Sequence, residues 1–141
     1  MRAVITSLCA GAIRGQDARI AAMKEITAAI DKAEAFLFLG MAVEAWETLE
    51  DLPTEAKNHP RVLELRLECL VVLKEWQKTV ILGEGLVAAL PRSALIRFWL
   101  ACSLAQTGRL EEAREHAKEA ARLDPDLRAR MLDAEALAGL W

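Results

Sequence analysis

The chain predicts an all-α array of about three helix–turn–helix units followed by a closing helix, and three observations lead there. The composition is that of helices: alanine, leucine, glutamate, lysine and arginine dominate, tyrosine is absent, and aromatic residues make up 5%. Glycine and proline cut the sequence into amphipathic stretches of helical length, and no alternating run suggests a strand. The stretches also recur. Pro91 and Pro125 lie 34 residues apart, and at that offset residues 65–91 and 99–125 share a hydrophobic pattern.

The elements follow in order. Asp17 is suited to cap a first helix that runs to about Leu39 and ends at Gly40, where a left-handed residue closes helices. Residues 1–22 read as a loosely ordered extension, ahead of a repeat domain at 23–141 whose cap starts at about 126. The opening "MRAVITSLCAGAIRG" only sketches a secretory signal, since Thr6, Ser7 and Cys9 interrupt its apolar stretch. A cytoplasmic location is expected, with export as the alternative. A second helix spans about Ala42–Leu52 and stops before Pro53. The loop 53–60 leads to a third at Arg61–Leu73, and a fourth covers Glu75–Leu90, stopped by Pro91. Ser93 can cap a fifth helix reaching Thr107, with Gly108 closing it. A sixth spans Leu110–Leu123, and Pro125 is placed to open the last one in its first turn.

The 34-residue overlay aligns Leu70 with Leu104, Thr79 with Ala113 and Leu86 with Ala120; one period earlier it aligns Gly40 with Lys74 and Ala45 with Thr79. In the sixth helix Ala113, Ala117 and Ala120 fall at i, i+4 and i+7, a stripe of methyl groups that lets a partner helix approach closely. Ala101 is the small residue expected to face it. The charges lie on the other side, with Glu111–Arg114, Glu115–Lys118 and Glu119–Arg122 spaced i, i+3 for pairing on a solvated face. Gly83 and Gly85 sit inside the fourth helix, where Trp76 or a neighbouring leucine is expected to fill the space left at Gly83.

These residues resemble the tetratricopeptide repeat. The third unit carries Leu100, Ala101, Leu104, Gly108, Ala113, Ala120 and Pro125, nearly the whole pattern, but has Arg97 where tryptophan is frequent and Ala117 where a large residue is usual. The second unit keeps Leu70, Trp76 and Pro91 and replaces small residues with Leu67, Thr79 and Leu86. The first keeps Ala33, Gly40 and Ala45 without a closing proline. The resemblance covers about residues 26–125 and extends to small bacterial proteins of this family. It implies a right-handed α-solenoid that acts as a non-catalytic protein–protein interaction module or scaffold.

Little else in the sequence carries chemistry. Net charge is −3 with acids and bases interleaved, so no basic face is available to displace counterions from nucleic acid. Cys9, Cys69 and Cys102 lack metal-ligand spacing and read as reduced thiols. His59 and His116 stand apart from other ligands, no serine or cysteine has a paired base, and "GEG" at 83–85 lacks the setting of a phosphate cradle. No enzyme, cofactor or metal is expected, and no membrane span.

The resemblance implies a concave groove lined by the first helix of each unit. Carried over by position, its candidates are Glu34, Leu37 and Phe38 from the first unit, Glu64, Glu68 and Val71 from the second, and Leu95, Phe98, Cys102 and Gln106 from the third. Apolar ends with acids between them suit a peptide or protein segment that is apolar and carries a basic residue. Phe38 and Phe98 could instead pack between helices. The alternative function is a self-associating structural array, a homodimer joined through exposed apolar groove or cap residues such as Trp141.

Overall fold

A computed structural model describes the backbone of residues 2–141 and the side chains from residue 14 onward. Seven α-helices form among them: α1 (Arg2–Phe38), α2 (Ala42–Glu50), α3 (Pro60–Val72), α4 (Trp76–Ala89), α5 (Ala94–Gln106), α6 (Leu110–Leu123) and α7 (Leu127–Asp133). Short 3-10 segments lie at Ala56–Asn58 and Glu135–Leu140, and no strand occurs among the described residues. Three hairpins, α1–α2, α3–α4 and α5–α6, stack as a helical-repeat solenoid, and α7 with the last 3-10 segment packs on the third.

The period is written most plainly in the turns. Gly40, Lys74 and Gly108 all have positive φ, at 76°, 58° and 84°. At each, two hydrogen bonds close the helix in the same way. The N–H of Gly40 donates to Leu37 C=O at 3.0 Å and that of Met41 to Phe36 C=O at 2.8 Å. Lys74 to Val71 (3.0 Å) with Glu75 to Leu70 (2.9 Å), and Gly108 to Ala105 (3.3 Å) with Arg109 to Leu104 (2.9 Å), repeat the pattern. This double closure absorbs the orphan carbonyls of a helix end and needs a left-handed residue. Lysine holds that conformation at a cost of roughly 1–2 kcal/mol, against about 0.5–1 kcal/mol for glycine's extra freedom when unfolded. Lys74 is exposed and makes no ion pair among the described residues. Lys74→Gly should therefore raise stability by about 0.5–1 kcal/mol, read as a higher urea midpoint at unchanged slope. A lowered midpoint would mean that the lysine side chain contributes contacts outweighing its backbone strain.

Packing repeats at the same interval. Ala33, Leu67 and Ala101 are fully buried at equivalent positions of the first helices, as are Ala45, Thr79 and Ala113 in the second helices. Thr79 returns its hydroxyl to Glu75 C=O at 2.9 Å, which lets a polar residue occupy the alanine site. The helix starts match too. His59 Nδ1 accepts from the Arg61 N–H at 3.2 Å, and Ser93 Oγ accepts from the Ile96 N–H at 3.4 Å. One core joins α1, α2 and α3 around Leu49, Val62 and Leu65, and a second joins α3 to α7 around Ile96, Leu100 and Leu104.

The interface between α5 and α6 is the most extensive, and the alanine stripe is its reason. Ala101, Ala113, Ala117 and Ala120 are all buried in the second core, while Glu111–Arg114 and Glu119–Arg122 pair outside it, the latter at 2.5 Å. Glu115 and Lys118 do not pair among the described residues. Gly83 leaves its space to Leu100 of α5, whose Cδ1 would lie 3.1 Å from an added Cβ, whereas Gly85 faces open space.

Two boundaries differ from the sequence reading. Asp17 does not cap a helix, because α1 starts at Arg2 and runs through position 17 and the 22/23 boundary without a break. No proline or closing turn interrupts that stretch, and residues 14–25 are exposed. Pro125 does not open the last helix either. Asp124 Oδ1 accepts from the Asp126 N–H at 3.1 Å and its C=O from Leu127 at 3.1 Å, a turn that delays α7 to Leu127.

Candidate interaction groove

The first helices α1, α3 and α5 are tied together by a polar chain. Arg61 of α3 reaches back to α1, donating from Nε (3.0 Å) and Nη2 (2.8 Å) to Glu34 Oε1, and its Nη1 donates to Glu64 Oε2 at 3.2 Å. The other Glu64 oxygen accepts from Ser93 Oγ, the α5 cap, at 2.7 Å. Burial works against the Arg61 charge, but the bonds from both carboxylates outweigh it and raise its pKa. Arg61 thereby clamps together two of the groove candidates, Glu34 and Glu64. Glu64 stands at i+3 on the same helix, but Glu34 lies on α1, 27 residues earlier, and no spacing in the sequence announces that partner.

Glu34, Leu37 and Phe38 join Arg61, Leu65 and Glu68 around an open cleft of about 320 Å³ between α1 and α3. Phe38 is 90% exposed, on the last turn of α1. Glu68 is largely buried, which pushes its pKa up, while Arg130 of α7 pulls it back from 3.7 Å. Three carboxylates, Glu34, Glu64 and Glu68, thus meet two guanidiniums, Arg61 and Arg130, and the floor keeps an excess of negative charge.

The third unit's share of the groove is closed. Phe98 and Cys102 are each 2% exposed, and Val71 is buried as well, so these three do not offer a surface to a partner. The segment following α6 covers them. Leu127, Met131, Leu137 and Leu140 join their core, and the Arg130 guanidinium lies over Phe98 and Trp99 at 5.4 and 4.9 Å. Gln106 is exposed yet donates to Ala136 C=O at 2.9 Å, and Leu95 is half-buried. Over the third unit, α7 and the last 3-10 segment thus supply apolar side chains, and Arg130 a basic one, that rest on Phe98 and Trp99. The signal was present in the sequence: Leu127, Met131, Ala134 and Leu137 recur every three to four residues, an apolar stripe that requires a partner.

Burial pushes the thiols of Cys69 and Cys102 up to about 12, so both stay protonated at neutral pH; the Cys9 side chain lies outside the described residues. His116 has its pKa lowered by burial and by Arg97, whose Nη1 lies 3.3 Å from Nδ1. Among the described residues no group of three or more histidine, cysteine or carboxylate side chains is placed to hold a metal, and no helix is long and apolar enough to cross a membrane.

A family model described as tetratricopeptide repeat matches residues 94–127, which span α5, α6 and the turn into α7. No curated protein and no solved structure matches the chain.

Proposed function

We propose, starting from a chain that carries a tetratricopeptide repeat, that this protein is a non-catalytic interaction module whose binding surface is the cleft between α1 and α3. The repeat is generally a protein–protein interaction fold. The observation that carries the narrower reading is Phe38: a phenylalanine exposed over nine-tenths of its surface, beside Leu37, over a floor with surplus negative charge. An aromatic ring left in water is the kind of anchor around which interface energy concentrates. The partner that fits is an extended or helical segment that buries an apolar side chain against Phe38 and Leu37 and directs a lysine or arginine to Glu34 and Glu68.

A peptide library displayed on phage and panned on the wild-type protein tests this. Enriched peptides should pair an apolar residue with a basic one, and their binding should fall at least tenfold on Phe38→Asp while surviving Trp141→Asp. Peptides that bind Phe38→Asp as tightly as wild type would place the interaction elsewhere.

A further inference from the structure

A second surface lies away from the groove, where α6 and α7 meet the last residues of the chain. Ala121, Met131, Leu132 and Trp141 line an apolar pocket of about 380 Å³, with Lys118 and Arg128 on its rim. Leu132 and Trp141 are 66% and 64% exposed. Both cations are solvated and make no ion pair among the described residues. An open apolar pocket with two free cations fits an apolar ridge bordered by acids.

The same chain presents that ridge at the other end of the stack. Leu39, Met41 and Val43 are exposed where α1 turns into α2. One turn on, Glu47 and Asp51 are exposed and unpaired among the described residues, and the last turn of α2 contains no basic residue. Carboxylates at a helix C-terminus oppose the helix dipole, so cations brought by another molecule would be doubly favourable there. The two faces belong to the first and third hairpins and lie on different parts of the surface, so one copy cannot satisfy both within itself in this arrangement.

We propose that these faces join head to tail between copies of this chain, the ridge at Leu39–Val43 seated in the pocket of the next copy and Glu47 and Asp51 meeting Lys118 and Arg128. Such a contact is heterologous: it uses a different patch on each side and leaves both outer faces free to continue the series. The pocket half of this contact, on α6 and α7, uses none of the residues around the α1–α3 cleft.

Sedimentation velocity across a wide concentration range tests the pairing. The wild-type mass should climb past that of a dimer without a plateau, and the climb should weaken with added salt. Lys118→Glu/Arg128→Glu and Glu47→Lys/Asp51→Lys change solvated positions, and circular dichroism checks that both remain folded. Each variant alone should be monomeric. Mixed in equal amounts they should associate again, because the reversed pocket now matches the reversed ridge. A monomeric wild type, a plateau at two chains, self-association by either variant, or a mixture that stays monomeric would each overturn the proposal.

Discussion

Phe98→Asp should abolish the third unit, with a loss on the order of 4 kcal/mol or more. Removing a fully packed phenylalanine ring alone costs about 3–5 kcal/mol. A carboxylate in its place would be buried beneath Met131, Leu137 and Leu140, in the core that surrounds Phe98. Arg130, which stacks over the ring, sits partly in water and already pairs with Glu68, so it offers limited compensation. Phe38→Asp provides the contrast. Its ring is 90% exposed, and the substitution should change stability by less than about 0.5 kcal/mol. Denaturant titration followed by circular dichroism separates the two. If both variants keep the wild-type midpoint, the segment over α5 does not cover Phe98 in solution.

Ala113→Leu should cost about 1–3 kcal/mol, because α6 meets α5 through methyl groups and has no room for a larger residue. Ala113, Ala117 and Ala101 are all buried, and Leu100 already occupies the hollow over Gly83 on the other side of α5. Close packing of this kind transmits the added volume to the helix axis instead of absorbing it. Glu115→Gln, on the solvated face of the same helix, should stay within about 0.5 kcal/mol. Thermal unfolding of the two variants side by side measures the difference. A neutral Ala113→Leu would mean that α5 and α6 meet in another register.

The two phenylalanines also show what a sequence can convey. The turns were legible because left-handed residues and prolines leave few alternatives, and Gly40, Lys74 and Gly108 keep their spacing in the backbone. The alanine stripe was legible because small residues at helical spacing on a charged helix have one packing solution. The fate of each aromatic was harder to read. Phe38 shares its repeat position with Val72 and Gln106, and all three are exposed on the last turn of a first helix. Phe98 shares its position with Ile30 and Glu64, and its burial is decided by α7 and the 3-10 segment, which pattern alone does not place in space. The clamp at Arg61 escaped for a related reason. It binds acids 27 residues before it and 3 residues after it, and only the first of these distances depends on the fold.

The buried thiols have a consequence for experiment. Cys69 lies in the core shared by α1, α2 and α3, and Cys102 in the core that joins α3 to α7. Both are shielded and held protonated, so an alkylating reagent meets either one only when the surrounding core opens. The chain thus carries one native chemical clock in each half of the array. With Cys9 replaced, the labelling rates at the two sites distinguish a protein that opens all at once from one whose halves breathe separately, without any probe being added to it.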